Sequence, residues 1–177
     1  MIIAIISAFV ATIALIILFF KLKANTITLC TLKIEEAEKE LEIFLSKKLS
    51  LLSELQAIFS ERDTETEFDF LCNLEDIDDD EFKLNTILNK AYKELKEFLN
   101  DKRSFIPDEQ IKEKLDELYK VDIECSAIKN YYNDKVIILN NKIKSFPNSL
   151  IAKTKGIYKK ELYNDPIEEE FEILKKK

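Results

Sequence analysis

No proline precedes Pro107, and a single glycine, Gly156, serves the whole chain of 177 residues. Proline and glycine are the residues that most reliably end helices and open tight turns. A chain that lacks them over its first hundred residues has few places to reverse. Leu, Ile, Glu and Lys dominate, strand-period alternation is never sustained, and apolar residues recur at steps of three and four. The fold class that follows is all-α: an N-terminal transmembrane helix, then an antiparallel helical bundle of three long helices plus a short C-terminal helix.

The first twenty residues carry no charged side chain. As a helix, Met1 to Phe20 would be about 30 Å long, the thickness of a bilayer core. A cleaved signal would show a basic start, a shorter apolar run and a small-residue cleavage site, whereas Phe19-Phe20-Lys21-Leu22-Lys23 follows here. Residues 1–23 therefore read as a retained single-pass anchor, integral over 1–20. Lys21 and Lys23 flank its C-terminal side, so the positive-inside bias places the N-terminus outside and the helical domain in the cytoplasm, at the cell membrane.

Beyond the anchor, residues 24–163 read as the bundle and 164–177 as a charged tail. From Cys30 to Phe59 one stripe runs through Ile34, Ala37, Leu41, Leu45, Leu52 and Leu55, with Lys39, Lys47 and Lys48 assigned to the polar face. No breaker separates it from the anchor, so the two read as one rod whose weakest point is Asn25 to Thr28. A second helix spans about Asp80 to Lys102, with Leu84, Leu88, Ala91, Leu95 and Phe98 inward. Pro107 opens a third, whose stripe extends from Ile111 to Phe146 and assigns Tyr132, Val136, Leu139, Ile143 and Phe146 to the core. Its one polar lapse, Asp122, reads as a rim residue, with a register-setting role the alternative. Short connections between the helices imply antiparallel neighbours. Pro147 ends the third helix, Asn148-Ser149 would cap a short helix from Leu150 to Lys155, and Gly156 would take the left-handed exit. Tyr158, Leu162 and Tyr163 then fold back.

The net charge of −7 is unevenly placed. Ten acids and no base lie between Asp63 and Phe82, so the remainder holds 24 acids against 27 bases. This acidic loop, about 63–81, fails as a calcium site because Glu81 and Ile87 stand where the loop needs glycine and glutamate. Basic residues outside it form only short runs, the longest being Lys175 to Lys177, and no clustered basic face, so no nucleic-acid partner is expected. There is no histidine and no CxxC, and Cys30, Cys72 and Cys125 are three thiols on separate segments. Free apolar packing, not metal or disulfide, is the reading for Cys30 and Cys125. No metal, cofactor or catalytic residue is assigned.

Ala127 to Gly156 is similar to the C-terminal signature of the LemA family, bacterial proteins with one membrane helix and an all-helical domain. That signature resembles R-x-Y-N-x-x-V-x-x-Y-N-x-x-I-x-x-F-P-x-x-I/L-I-A-x-x-x-G-F. Tyr132, Asn133, Val136, Asn140, Ile143, Phe146, Pro147, Ile151, Ala152 and Gly156 match it at the same spacing. Leu139 and Ile157 depart from its Tyr and Phe. Lys47-Lys48-Leu49-Ser50-Leu51-Leu52 resembles the family's K-R-x-x-L-I-P run without its proline. The resemblance implies architecture, and these motif residues are expected to be structural.

Function is then expected to be non-enzymatic: a membrane-anchored, coiled-coil-like bundle acting as a scaffold or interaction module for a protein partner the sequence does not name. One alternative is a homo-oligomer formed through the bundle or through Ala4, Ser7, Ala8 and Ala11 of the anchor. The other is a carboxylate/tyrosine enzyme near the bilayer, built on Tyr131, Tyr132, Asn133 and Asp134.

Overall fold

The computed structural model describes residues 1–62, 80–101 and 109–163, with the side chains of Arg62 and Asp101 left aside. Most of the acidic loop (63–79, with Cys72), the Pro107 helix start and the tail 164–177 lie outside these residues. Four helices follow in order: α1 (Ile2–Arg62), α2 (Glu81–Asp101), α3 (Glu109–Lys142) and α4 (Asn148–Thr154). Among the described residues there is no strand, and the fold is an all-α bundle.

The predicted anchor and the first bundle helix form one unbroken α1. The β-branched run that weakens helix propensity is absorbed locally. Thr26, Thr28 and Thr31 donate their hydroxyls to the carbonyls of Leu22, Ala24 and Ile27 at 2.9, 3.0 and 3.2 Å. Ile27 itself is buried. The chain divides into two compact units, residues 38–129 and residues 1–37 with 130–177.

In the unit of residues 38–129 the predicted stripes are the core. Leu41, Leu45, Leu52, Leu55 and Phe59 of α1, Leu88, Ala91 and Leu95 of α2, and Ile111, Leu118 and Cys125 of α3 are all buried. Each of the Leu, Ile and Phe side chains among them contributes roughly 1.5–3 kcal/mol relative to exposure. Asp80 caps α2, its Oδ1 accepting from the backbone N–H groups of Phe82 and Lys83 at 3.0 and 3.3 Å.

Helix direction follows from the contacts. Lys47 pairs with Glu117 at 2.9 Å and Glu54 with Lys114 at 2.6 Å, so α3 is antiparallel to α1. Lys48 meets Asn89, and Phe59 meets Phe98 with ring centroids 5.2 Å apart, so α2 runs in the same direction as α1. The expectation of antiparallel neighbours throughout therefore holds for α3 and fails for the α1–α2 pair. The rule rests on short connections, and the 18 residues between Arg62 and Glu81 are ample to return the chain along a helix of 21 residues.

In the unit that contains both termini, Ile27, Cys30, Ile34 and Ala37 of α1, Tyr132, Val136 and Leu139 of α3, and Ile151, Ala152 and Tyr163 beyond it are buried. The Cys30 thiol donates to the Lys135 carbonyl at 3.6 Å. Helix α3 ends at Lys142, short of the predicted Phe146. The stripe breaks down there because Ile143 to Pro147 forms turns, and Phe146 is 77% exposed instead of in the core. Its ring edge packs on Phe20 at 6.4 Å. The Phe146–Pro147 peptide is cis.

Helix α4 begins at Asn148, and its N-cap is Pro147 with no side-chain cap, so Asn148-Ser149 does not cap it as expected. Its exit is the expected one. Gly156 has φ +67°, the Gly156 N–H bonds to Lys153 O at 3.3 Å, and the Ile157 N–H bonds to Ala152 O at 2.9 Å. This pair of bonds satisfies the last carbonyls of the helix and needs a left-handed residue that glycine adopts without strain.

Candidate functional site

The signature residues converge on the segment after Gly156. Asn133 Nδ2 donates to Tyr163 O at 2.8 Å while the Tyr163 N–H donates to Asn133 Oδ1 at 2.9 Å. Asn140 repeats the arrangement on Lys160, with 2.9 Å to its carbonyl and 3.0 Å from its N–H. A primary amide carries one carbonyl and one N–H edge in the plane a peptide uses, so each asparagine pairs with the chain as a neighbouring strand would.

The spacing explains why two such residues can act together. Seven residues of helix rise about 10.5 Å. Three residues of near-extended chain cover about 10 Å. Asn133 and Asn140 can therefore grip Tyr163 and Lys160 at once, in antiparallel sense. Between them the Tyr132 hydroxyl donates to Glu161 O at 3.2 Å, and the Tyr132 and Tyr163 rings pack edge to face at 5.1 Å. Irregular backbone that would leave polar groups unpaired is thus satisfied by side chains of α3.

The other signature residues frame this clip. Val136 is fully buried, Ile143 half-buried, and Pro147, Ile151 and Ala152 are buried. Tyr158 is 75% exposed and Leu162 39%, so of the three fold-back residues only Tyr163 enters the core. The four residues of the enzyme alternative do not form a shared pocket. Tyr132 and Asn133 point into the clip, Asp134 is exposed, and Tyr131 lies on the surface under the Lys135 ammonium, 4.6 Å from its ring centroid.

A second constellation lies in the unit of residues 38–129. Lys48, assigned to the polar face from sequence, is 1% exposed. It occupies the stripe between Leu45 and Leu52, three residues from one and four from the other. Its Nζ pairs with Asp122 Oδ1 at 2.6 Å and donates to Asn89 Oδ1 at 3.0 Å. It also lies 5.1 Å from the centroid of the Tyr92 ring. Asp122 is a rim residue as expected, 27% exposed at its side chain, and its carboxylate reaches inward to the buried ammonium. The sequence signal was present as two matching gaps: a lysine on the α1 stripe and an acid on the α3 stripe.

Burial, reinforced by Asp122 and Tyr119, pushes the Tyr92 hydroxyl from its ordinary value near 10 up to about 12. The unfolded chain loses this proton near pH 10 and the folded chain keeps it to about pH 12. The protonated phenol therefore stabilises the fold fully below pH 10, and that contribution disappears between the two values. Replacing Tyr92 with Phe should remove one high-pH tyrosinate step from an alkaline ultraviolet titration and flatten the loss of stability above pH 10 by about 1 kcal/mol per pH unit. An unchanged titration would contradict the assignment.

The two described cysteines behave as small core residues. Cys30 and Cys125 are free and buried, and burial pushes the Cys125 thiol up, with Lys48 and Lys129 opposing. Among the described residues no cluster of three or more His, Cys, Asp or Glu could hold a metal ion.

The model of the LemA family matches residues 72–173, more than half of the chain and the whole of the clip. Nothing among the curated proteins or the solved structures matches the chain.

Proposed function

Because the chain belongs to the LemA family, we propose that it is a non-enzymatic, single-pass membrane protein whose helical bundle holds a protein partner at the cytoplasmic face. The observation that carries the anchor is the state of α1 at its start. Its most apolar 18-residue window has mean hydropathy 3.0, and none of it is buried in the fold. Thirteen of residues 2–20 are Ile, Leu, Val or Phe, which together favour membrane insertion by on the order of 5 kcal/mol. The hydroxyls of Ser7 and Thr12 within this run donate to Ala4 O and Ala8 O, as spanning helices require of polar side chains.

Orientation rests on charge. The only charged side chains from Met1 to Ile34 are Lys21, Lys23 and Lys33, and Lys135 to Lys160 adds seven lysines and no acid. The three lysines beside the span, with no acid before Glu35, favour the positive-inside reading.

The interaction role is supported by surface and by occupancy. An open groove of about 960 Å³ in the unit of residues 38–129 is bordered by Phe44, Val121, Lys47, Lys120, Glu113 and Glu124, a mixed-charge rim around apolar patches. Tyr132 and Asn133 are engaged in holding backbone, so two of the four residues of the carboxylate/tyrosine alternative serve the clip instead.

A cysteine at exposed Ser53, in a chain whose Cys72 is replaced by Ser, tests the reading. In right-side-out vesicles an impermeant maleimide should leave Ser53→Cys unlabelled until the membrane is opened, and the chain should resist alkaline carbonate extraction. Labelling before opening would reverse the orientation, and release by carbonate would remove the anchor.

A further inference from the structure

The end of the anchor and α4 enclose a feature that the scaffold reading does not use. An apolar groove of about 350 Å³ is lined by Ile16, Ile17, Phe20 and Ala24 of α1 and by Ile151 and Thr154 of α4, with Lys21 and Lys155 at its rim. All of these residues belong to the unit that contains both termini.

Depth can be read along α1. Phe20 is the last residue before the first charge, so it marks the boundary of the hydrocarbon. Ile16 and Ile17 lie about 5 Å further in. Lys155 donates to Thr28 Oγ1 at 2.8 Å, eight residues beyond Phe20 and therefore about 12 Å outside that boundary. The headgroup layer is about 5–8 Å thick on each side, within reach of a flexible lysine from either rim position. The groove thus begins among acyl chains and ends between two ammonium groups.

The neighbouring surface matches that depth. Phe146, packed on Phe20, is 77% exposed, Leu150 50% and Tyr158 75%. Large apolar and amphipathic side chains presented at the level where a spanning helix leaves hydrocarbon are the groups that seat in a lipid interface.

We propose that this groove binds one anionic phospholipid of the surrounding leaflet. Its acyl chain would lie along Ile16, Ile17 and Phe20, its glycerol region beside Ala24 and Ile151, and its phosphate would be shared by Lys21 and Lys155. The proposal rests on the reading of α1 as a membrane span. Lys155 spends one donor on Thr28 and retains two, and Lys21 is exposed with its full complement. Two lysines at a membrane surface favour an anionic over a neutral lipid by about tenfold.

The native chain has no tryptophan, so Leu150→Trp places a single indole one residue from the groove. The full chain carrying it is reconstituted in phosphatidylcholine vesicles with a minor fraction of phosphatidylglycerol, and bromine is placed on the acyl chains of one lipid or the other. Quenching should report phosphatidylglycerol enriched about tenfold around the indole. Lys21→Gln with Lys155→Gln should abolish the enrichment, while Lys153→Gln with Lys159→Gln, which removes the same charge outside the groove, should keep it. Equal quenching by both brominated lipids, or equal loss in both double variants, would overturn the lipid site and leave the anchor standing. A chain quenched by neither and released by carbonate would overturn the anchor as well.

Discussion

Asp122→Ala should lower the stability of the bundle by about 3–5 kcal/mol, a shift of about 2 M in a urea midpoint for the full chain in mild detergent. The magnitude comes from the partner left behind. Lys48 is 1% exposed, and without Asp122 its ammonium keeps only Asn89 Oδ1 and the face of Tyr92. A buried charge so under-compensated is among the few single changes that reach this size. Lys48→Met in the same chain should recover most of the loss, since the thioether side chain fits the lysine stem and needs no counter-ion. A double variant no better than Asp122→Ala would show that the cluster matters through shape instead of charge. The pair also fixes alignment. A shift of α3 by one turn along α1 would move its carboxylate about 5.4 Å from the ammonium, so the mismatch disfavours every neighbouring register.

Asn140→Leu should release the C-terminal segment while leaving the rest of the fold intact. The substitution keeps side-chain volume but removes two hydrogen bonds and leaves the N–H and C=O of Lys160 without the amide that pairs them. The expected effect is about 2–3 kcal/mol, confined to residues 157–163. Asn140→Asp should fare nearly as badly. Its carboxylate can accept from the Lys160 N–H but faces the Lys160 carbonyl with no proton to offer. Limited proteolysis after Lys159 and Lys160 measures this, and both variants should be cut about tenfold faster or more than the parent. Parental rates in Asn140→Asp would mean that polarity alone, not the paired geometry, holds the segment.

Most of the architecture was legible because it depends on local signals. Missing breakers give long helices, and steps of three and four give the stripes that became the core. The direction of α2 was less legible, because antiparallel pairing follows only from short connections and the acidic segment is not short. Lys48 was misassigned for a related reason. Residue type puts lysine on the surface, whereas its place between Leu45 and Leu52 puts it inside, and place prevailed because Asp122 and Asn89 were there to pair it. Phe146 failed in the opposite sense: its spacing continued the stripe, but the helix had already ended. The signature itself was legible as a pattern and not as a device. Nothing local reveals that Asn133 and Asn140 face the backbone of residues thirty and twenty positions later. The match between a seven-residue helical rise and a three-residue extended span could have suggested it.

The central claim is that the family signature is a clip for the chain's own backbone. Amide hydrogen exchange at Lys160 and Tyr163 tests it most directly. The account predicts that both N–H groups, in a segment with no helix or sheet of its own, exchange at least about a hundredfold more slowly than an open chain. It further predicts that Asn140→Leu frees Lys160 and Asn133→Leu frees Tyr163. Exchange of both amides at open-chain rates in the unaltered protein would contradict it.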